Sequence, residues 1–214
     1  KCLPAWIMAS RINNFKKQTD FLIKIFKKQL FFLKGMTRTP KDWVIDNVIS
    51  TEFWQDAPLF SIGEAIDALK KDFVVYKTFP SFVADWRWYK ITKNFKNADN
   101  SYIKEEYIRN LHNFIDWRVI GSQQSLKQNS LLQSKCKSVR LYVKKYFVNF
   151  NDNYLKKIIL NCENIKESLP DSHNLTKKSI TEVILLIKAF LKNKKIDLSL
   201  YDKVAPWWGR GLQY

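Results

Sequence analysis

Residues 61–76 read Ser61-Ile62-Gly63-Glu64-Ala65-Ile66-Asp67-Ala68-Leu69-Lys70-Lys71-Asp72-Phe73-Val74-Val75-Tyr76. The fold class turns on this stretch. Ser61 with Glu64 three residues on is a capping box: the hydroxyl accepts from the amide of Glu64, and the carboxylate reaches back to the amide of Ser61. Ile62, Ala65, Ile66 and Leu69 fall on one face of a helix Ile62–Lys71. Phe73-Val74-Val75-Tyr76 then gathers β-branched and aromatic residues in the pattern of a short buried strand, which Pro80 and Ser81 end. A helix running into such a strand predicts a small α/β portion at residues 61–90.

The flanking segments read as helices. Over residues 5–35, Phe15, Leu22, Ile25, Phe26, Phe32 and Leu33 form an apolar stripe with Lys16, Lys17, Lys24, Lys27, Lys28 and Lys34 mostly opposite, and Gly35 suits a C-cap. Pro40 marks a break, and Trp43–Ile49 suits a short helix. Tyr102–Asn113 is helical, and residues 123–149 become amphipathic with Val139, Tyr142, Val143, Tyr146 and Phe147 on one side. Asn153–Glu167 turns Leu155, Ile158, Ile159, Cys162 and Ile165 inward, and Ser179–Asn193 does the same with Ile180, Val183, Ile184, Ile187 and Leu191. The predicted class is therefore α+β, predominantly helical, with a helical C-terminal half. A polar stretch near Gly121–Asn129 places a soft boundary between residues 1–122, which carry the candidate site, and a basic helical portion 123–214.

The chain has 214 residues, with 37 Lys and Arg against 20 Asp and Glu, a formal charge of +17. Its hydrophobic content of 46% is enough for a folded core, so the charge decorates a globular surface. Such a field attracts polyanions. An AT-rich genome produces the same Lys-rich composition with no partner, so binding has to be argued from clustering. Cys2, Cys136 and Cys162 make an odd count without a CxxC pair, which argues against a disulfide scaffold or zinc site and points to a reducing, cytoplasmic setting. No uncharged apolar run of membrane-spanning length occurs. The aromatic, glycine-bearing end Pro206–Tyr214 and the start at Lys1 suggest a fragment of a longer protein.

The densest chemistry lies at Phe79–Lys90, just beyond the predicted strand, where open α/β folds bind ligands. Arg87 suits a bidentate clamp on phosphate, Trp88 a stacking surface, Lys90 a second cation and Asp85 a general base. The triplet Asp85-Trp86-Arg87 recurs as Asp116-Trp117-Arg118, which brings Arg118 into the substrate set. His112, just ahead of it, is the nearest acid–base candidate. Neither GxxxxGK[ST] nor GxGxxG is present, and no cofactor or metal is indicated. The leading expectation is part of a transferase-like enzyme acting on a phosphorylated or nucleotide-linked substrate.

Two other readings stand beside it. Between Asp116 and Asp152 there is no acidic residue, and Lys137, Arg140 and Lys144 are spaced to share one helix face, a candidate footprint for nucleic-acid phosphates. Residues 5–35, basic on one side and rich in Phe and Leu on the other, have the pattern of a helix lying on an anionic membrane surface.

Overall fold

The computed structural model describes residues 2–31, 38–49, 61–76, 78, 99–115, 119, 121–194 and 197–203. Among them the regular structure is helical: α1 (Cys2–Ala9), α2 (Phe15–Phe31), α3 (Pro40–Val44, continued by a π turn Ile45–Ile49), α4 (Ile62–Leu69), α5 (Asn100–Arg109), α6 (Leu126–Asn149), α7 (Asp152–Ser168), α8 (Asn174–Asn193) and α9 (Leu198–Lys203). Short 3-10 turns follow α5 at Leu111–Phe114 and precede α8 at Asp171–His173.

No strand occurs among the described residues, which corrects the α+β expectation to an all-helical fold. The capping box forms as read: the Ser61 hydroxyl accepts from the amide of Glu64, and the Glu64 carboxylate accepts from the amide of Ser61. Phe73–Tyr76 is the error. A strand is stabilised by pairing with another strand, and none lies beside this segment among the described residues. A side chain substitutes: the Asn100 amide accepts from the Val75 amide at 2.9 Å and donates to the Phe73 carbonyl at 2.8 Å. Only Val75 turns inward; Phe73, Val74 and Tyr76 are 64%, 80% and 89% exposed. Composition favoured a strand, but the tertiary setting supplies an asparagine clasp.

The helix expected over residues 5–35 is interrupted at Ser10–Asn14. The Ser10 hydroxyl donates back to the Ile7 carbonyl, and Asn14 caps α2 by accepting from the amide of Lys17 at 2.9 Å. Short polar side chains compete for backbone groups in this way, which is why they favour helix ends over helix interiors. Phe32, Leu33, Lys34 and Gly35 lie outside the described residues.

The chain packs into two compact units. Unit 1 takes Lys1–Pro58, Lys135–Lys166 and Lys177–Trp208; unit 2 takes Leu59–Ser134, Glu167–Thr176 and Gly209–Tyr214. In unit 1 the middle of the apolar stripe of α2 enters the core: Leu22, Ile25 and Phe26 are buried, with the Phe26 ring 5.4 Å from that of Trp43 and 6.2 Å from that of Tyr201, while Phe15 at its start is 56% exposed. Val143 and Tyr146 of α6, Leu155 and Ile158 of α7, and Ile184, Ile187 and Phe190 of α8 are also buried. No helix among the described residues is long and apolar enough to cross a membrane. In unit 2, α4 lies on α5 through Ile66, Ile103 and Tyr107, and Lys104 pairs with Asp67 at the edge.

Candidate functional site

Asp85, Arg87, Trp88, Lys90 and Arg118 lie outside the described residues. Of the enzyme set, His112 is described. It sits in the 3-10 turn after α5, fully buried in unit 2, with its ring centroid 5.5 Å from that of His173, also fully buried. Its Nε2 lies 2.8 Å from the Ser122 carbonyl, an oxygen that can only accept, so Nε2 carries the proton. Nδ1 is then the acceptor for the Asn129 amide nitrogen at 3.0 Å, which also donates to the Arg109 carbonyl at 2.8 Å. Burial lowers the pKa of His112, His173 lowers it further, and the contacts with Ser122 and Asn129 oppose the shift. The ring is therefore a neutral imidazole with both nitrogens engaged.

The surrounding chain is tied to the same centre. Asn113 accepts from the Gly121 amide at 2.7 Å and donates to the Gly121 carbonyl at 3.2 Å. Gly121 is needed for close approach: a Cβ there would lie 2.8 Å from the Ser172 hydroxyl and 3.2 Å from a His173 ring carbon. The Ser172 hydroxyl is itself 3.1 Å from Nδ1 of His173. This arrangement is an internal cross-link joining the end of α5, residues 121–129 and the turn before α8. It directs no histidine nitrogen to solvent.

The other nominated set is on α6. Lys137 is exposed, while Arg140 and Lys144 are half-buried, all three within unit 1. The 24 residues of α6 include six Lys or Arg and no Asp or Glu. The charge follows the two units closely. Unit 1 contains 25 Lys and Arg against 10 Asp and Glu; unit 2 contains 12 against 10. Nearly all of the +17 therefore belongs to unit 1. Genome-wide bias toward lysine codons would load both units, so it does not account for this division.

A second row on α6 escaped sequence reading. Lys135, Tyr142 and Lys145 are spaced seven and three residues apart, which aligns them on one flank of the helix. Tyr142 stacks on Tyr154 of α7, with ring centroids 6.3 Å apart and planes 22° from parallel. The Lys157 ammonium lies 5.2 Å from the centre of the Tyr142 ring. Both tyrosines are half-buried, and Lys145 and Lys157 are exposed. Two carboxylates of α7 are engaged elsewhere: Asp152 with Lys194 and Arg11, and Glu163 with Lys188 at 3.1 Å. Lys135, Lys145 and Lys157 make no ion pair among the described residues. The available signal was the i, i+3 pair Tyr154 and Lys157 on the next helix, but which rows of two helices meet is a matter of packing.

Unit 2 also has an apolar groove of about 420 Å³, walled by Ile62, Ile66 and Leu69 of α4 and by Phe73, Val75 and Thr78. Comparison with protein-family models, curated proteins and solved structures finds no match to this chain.

Proposed function

We propose that unit 1 is a nucleic-acid-binding module that grips the phosphate backbone with its lysines and arginines. The observation that carries this reading is the division of charge, 25 basic against 10 acidic residues in unit 1 beside near neutrality in unit 2. A polyanion releases condensed counterions when several cations approach it together, so clustered charge binds where scattered charge does not. Helix α6 is the centre of the footprint because it carries five of those cations and no carboxylate.

The test is a salt series of binding to labelled duplex and single-stranded oligonucleotides, read by fluorescence anisotropy. The expected affinity falls steeply and linearly on a log–log plot. Replacing Lys137, Arg140 and Lys144 together by Gln lowers the slope by up to about 2–3, since each phosphate contact contributes roughly 0.7–0.9. Replacing the exposed Lys70 and Lys71 of unit 2 by Gln leaves it unchanged. No binding at low salt, or equal losses from both sets, would overturn the assignment. The transferase reading rests on Asp85, Arg87, Trp88, Lys90 and Arg118, and no described geometry adds to it.

A further inference from the structure

The flank of α6 that faces α7 combines two chemistries that duplex recognition does not need together. Duplex backbone binding requires cations alone, because the bases are stacked inside. Here cations border a pair of half-exposed aromatic rings. Lys135, Tyr142 and Lys145 run along α6, while Tyr154 and Lys157 stand one turn apart on α7. The rings are held before any ligand arrives, by their mutual stacking and by the Lys157 ammonium over Tyr142. All five residues belong to unit 1.

We infer that this α6–α7 seam is a stacking ledge for the bases of a single-stranded nucleic acid, with Lys135, Lys145 and Lys157 holding the adjoining phosphates. The inference rests on the phosphate-binding reading of unit 1 and adds the strand type and the base-contacting residues. An unpaired base presents a flat π-face that any tyrosine ring can accept, so the ledge is tolerant of sequence. Charge complementarity selects the ligand: the seam offers three ammonium groups without an ion pair among the described residues, and α6 has no carboxylate to repel a phosphate. Tyr154 is the outer platform, because one face of Tyr142 is taken by Tyr154 and Lys157 sits over its ring.

The experiment uses the full chain and three labelled probes of equal length: an oligothymidylate, an abasic strand with the same phosphates, and a duplex. The oligothymidylate binds at least about fivefold more tightly than the abasic strand, the lower limit for one stacked base. Tyr154→Leu removes that advantage while leaving the salt slope unchanged, and Tyr154→Phe, which keeps the ring, restores it. Lys145→Gln with Lys157→Gln lowers the single-strand slope by about 1.4. Equal affinity for the abasic and base-bearing strands overturns the ledge but leaves phosphate binding by unit 1 standing. The same holds for a Tyr154→Leu variant, folded by circular dichroism, that keeps the full advantage. Absence of salt-dependent binding to all three probes overturns both.

Discussion

Replacing His112 by Phe keeps an aromatic ring of similar size in a fully buried position and removes both of its polar contacts. The Ser122 carbonyl loses the donor now 2.8 Å away, and one Asn129 N–H loses the acceptor at 3.0 Å. Leaving a buried polar group unpaired costs about 1–3 kcal/mol. Asn129 is such a group, whereas Ser122 is exposed and its carbonyl can turn to water, so the expected loss is about 1–3 kcal/mol. In a chain of this length each kcal/mol shifts the melting temperature by about 2–4 °C. Urea unfolding followed by far-ultraviolet circular dichroism measures the loss directly.

A pH series supplies the sign. Burial lowers the folded-state pKa of His112 below its ordinary 6.5, so between these two values the unfolded chain binds more protons than the folded one. The stabilising contribution is complete above pH 6.5 and is lost as the pH falls toward the lowered value. The Phe variant has no such group. The stability gap between wild type and variant should therefore narrow below pH 6.5. A loss under about 1 kcal/mol at pH 7.5, or a gap that stays constant down to pH 5, would refute the cross-link role.

Three further outcomes follow from the packing. Gly121→Ala pushes a methyl group against Ser172 and His173 and should destabilise unit 2 by about 1–3 kcal/mol, measured by the same denaturation. Ser61→Ala removes the capping hydroxyl of α4 and should cost about 1 kcal/mol, while Ser61→Asp, which keeps an accepting oxygen, should recover most of it. The Cys162 thiol is pushed up to about 12 by burial, so it should resist iodoacetamide at pH 8 in the folded protein and react promptly in urea, as peptide mapping of the labelled chain would show.

Much of the helical layout was legible in the residues alone, because it depends on neighbours three and four positions apart. The inward set Leu155, Ile158, Ile159, Cys162 and Ile165 of α7 is buried as its spacing required. The Ser61–Glu64 box closes as two side chains and two amides within one turn demand. The stripe of α8 was read slightly off its true face: Ile184 and Ile187 are buried, but Leu186 and Phe190 join them while Ile180, Val183 and Leu191 are half-buried. That shift depends on which neighbours α8 meets, and local periodicity does not contain it.

Other features were decided only by the tertiary structure. Phe73-Val74-Val75-Tyr76 has the composition of a strand, but pairing is a property of two segments, and here Asn100, 25 residues beyond Val75, takes the partner's place. The sequence offers His112 as an acid–base candidate but carries no label for its burial, and contacts from Ser122, Asn129 and His173 set its tautomer and lower its pKa. The excess of lysine is plain in the composition, yet its uneven distribution emerges only when the chain segments are assigned to two units and nearly all of the net charge falls in one. Local periodicity is set by bonds along the chain. Pairing, burial and charge density are set by which distant segments meet in space, and that is information a one-dimensional reading does not carry.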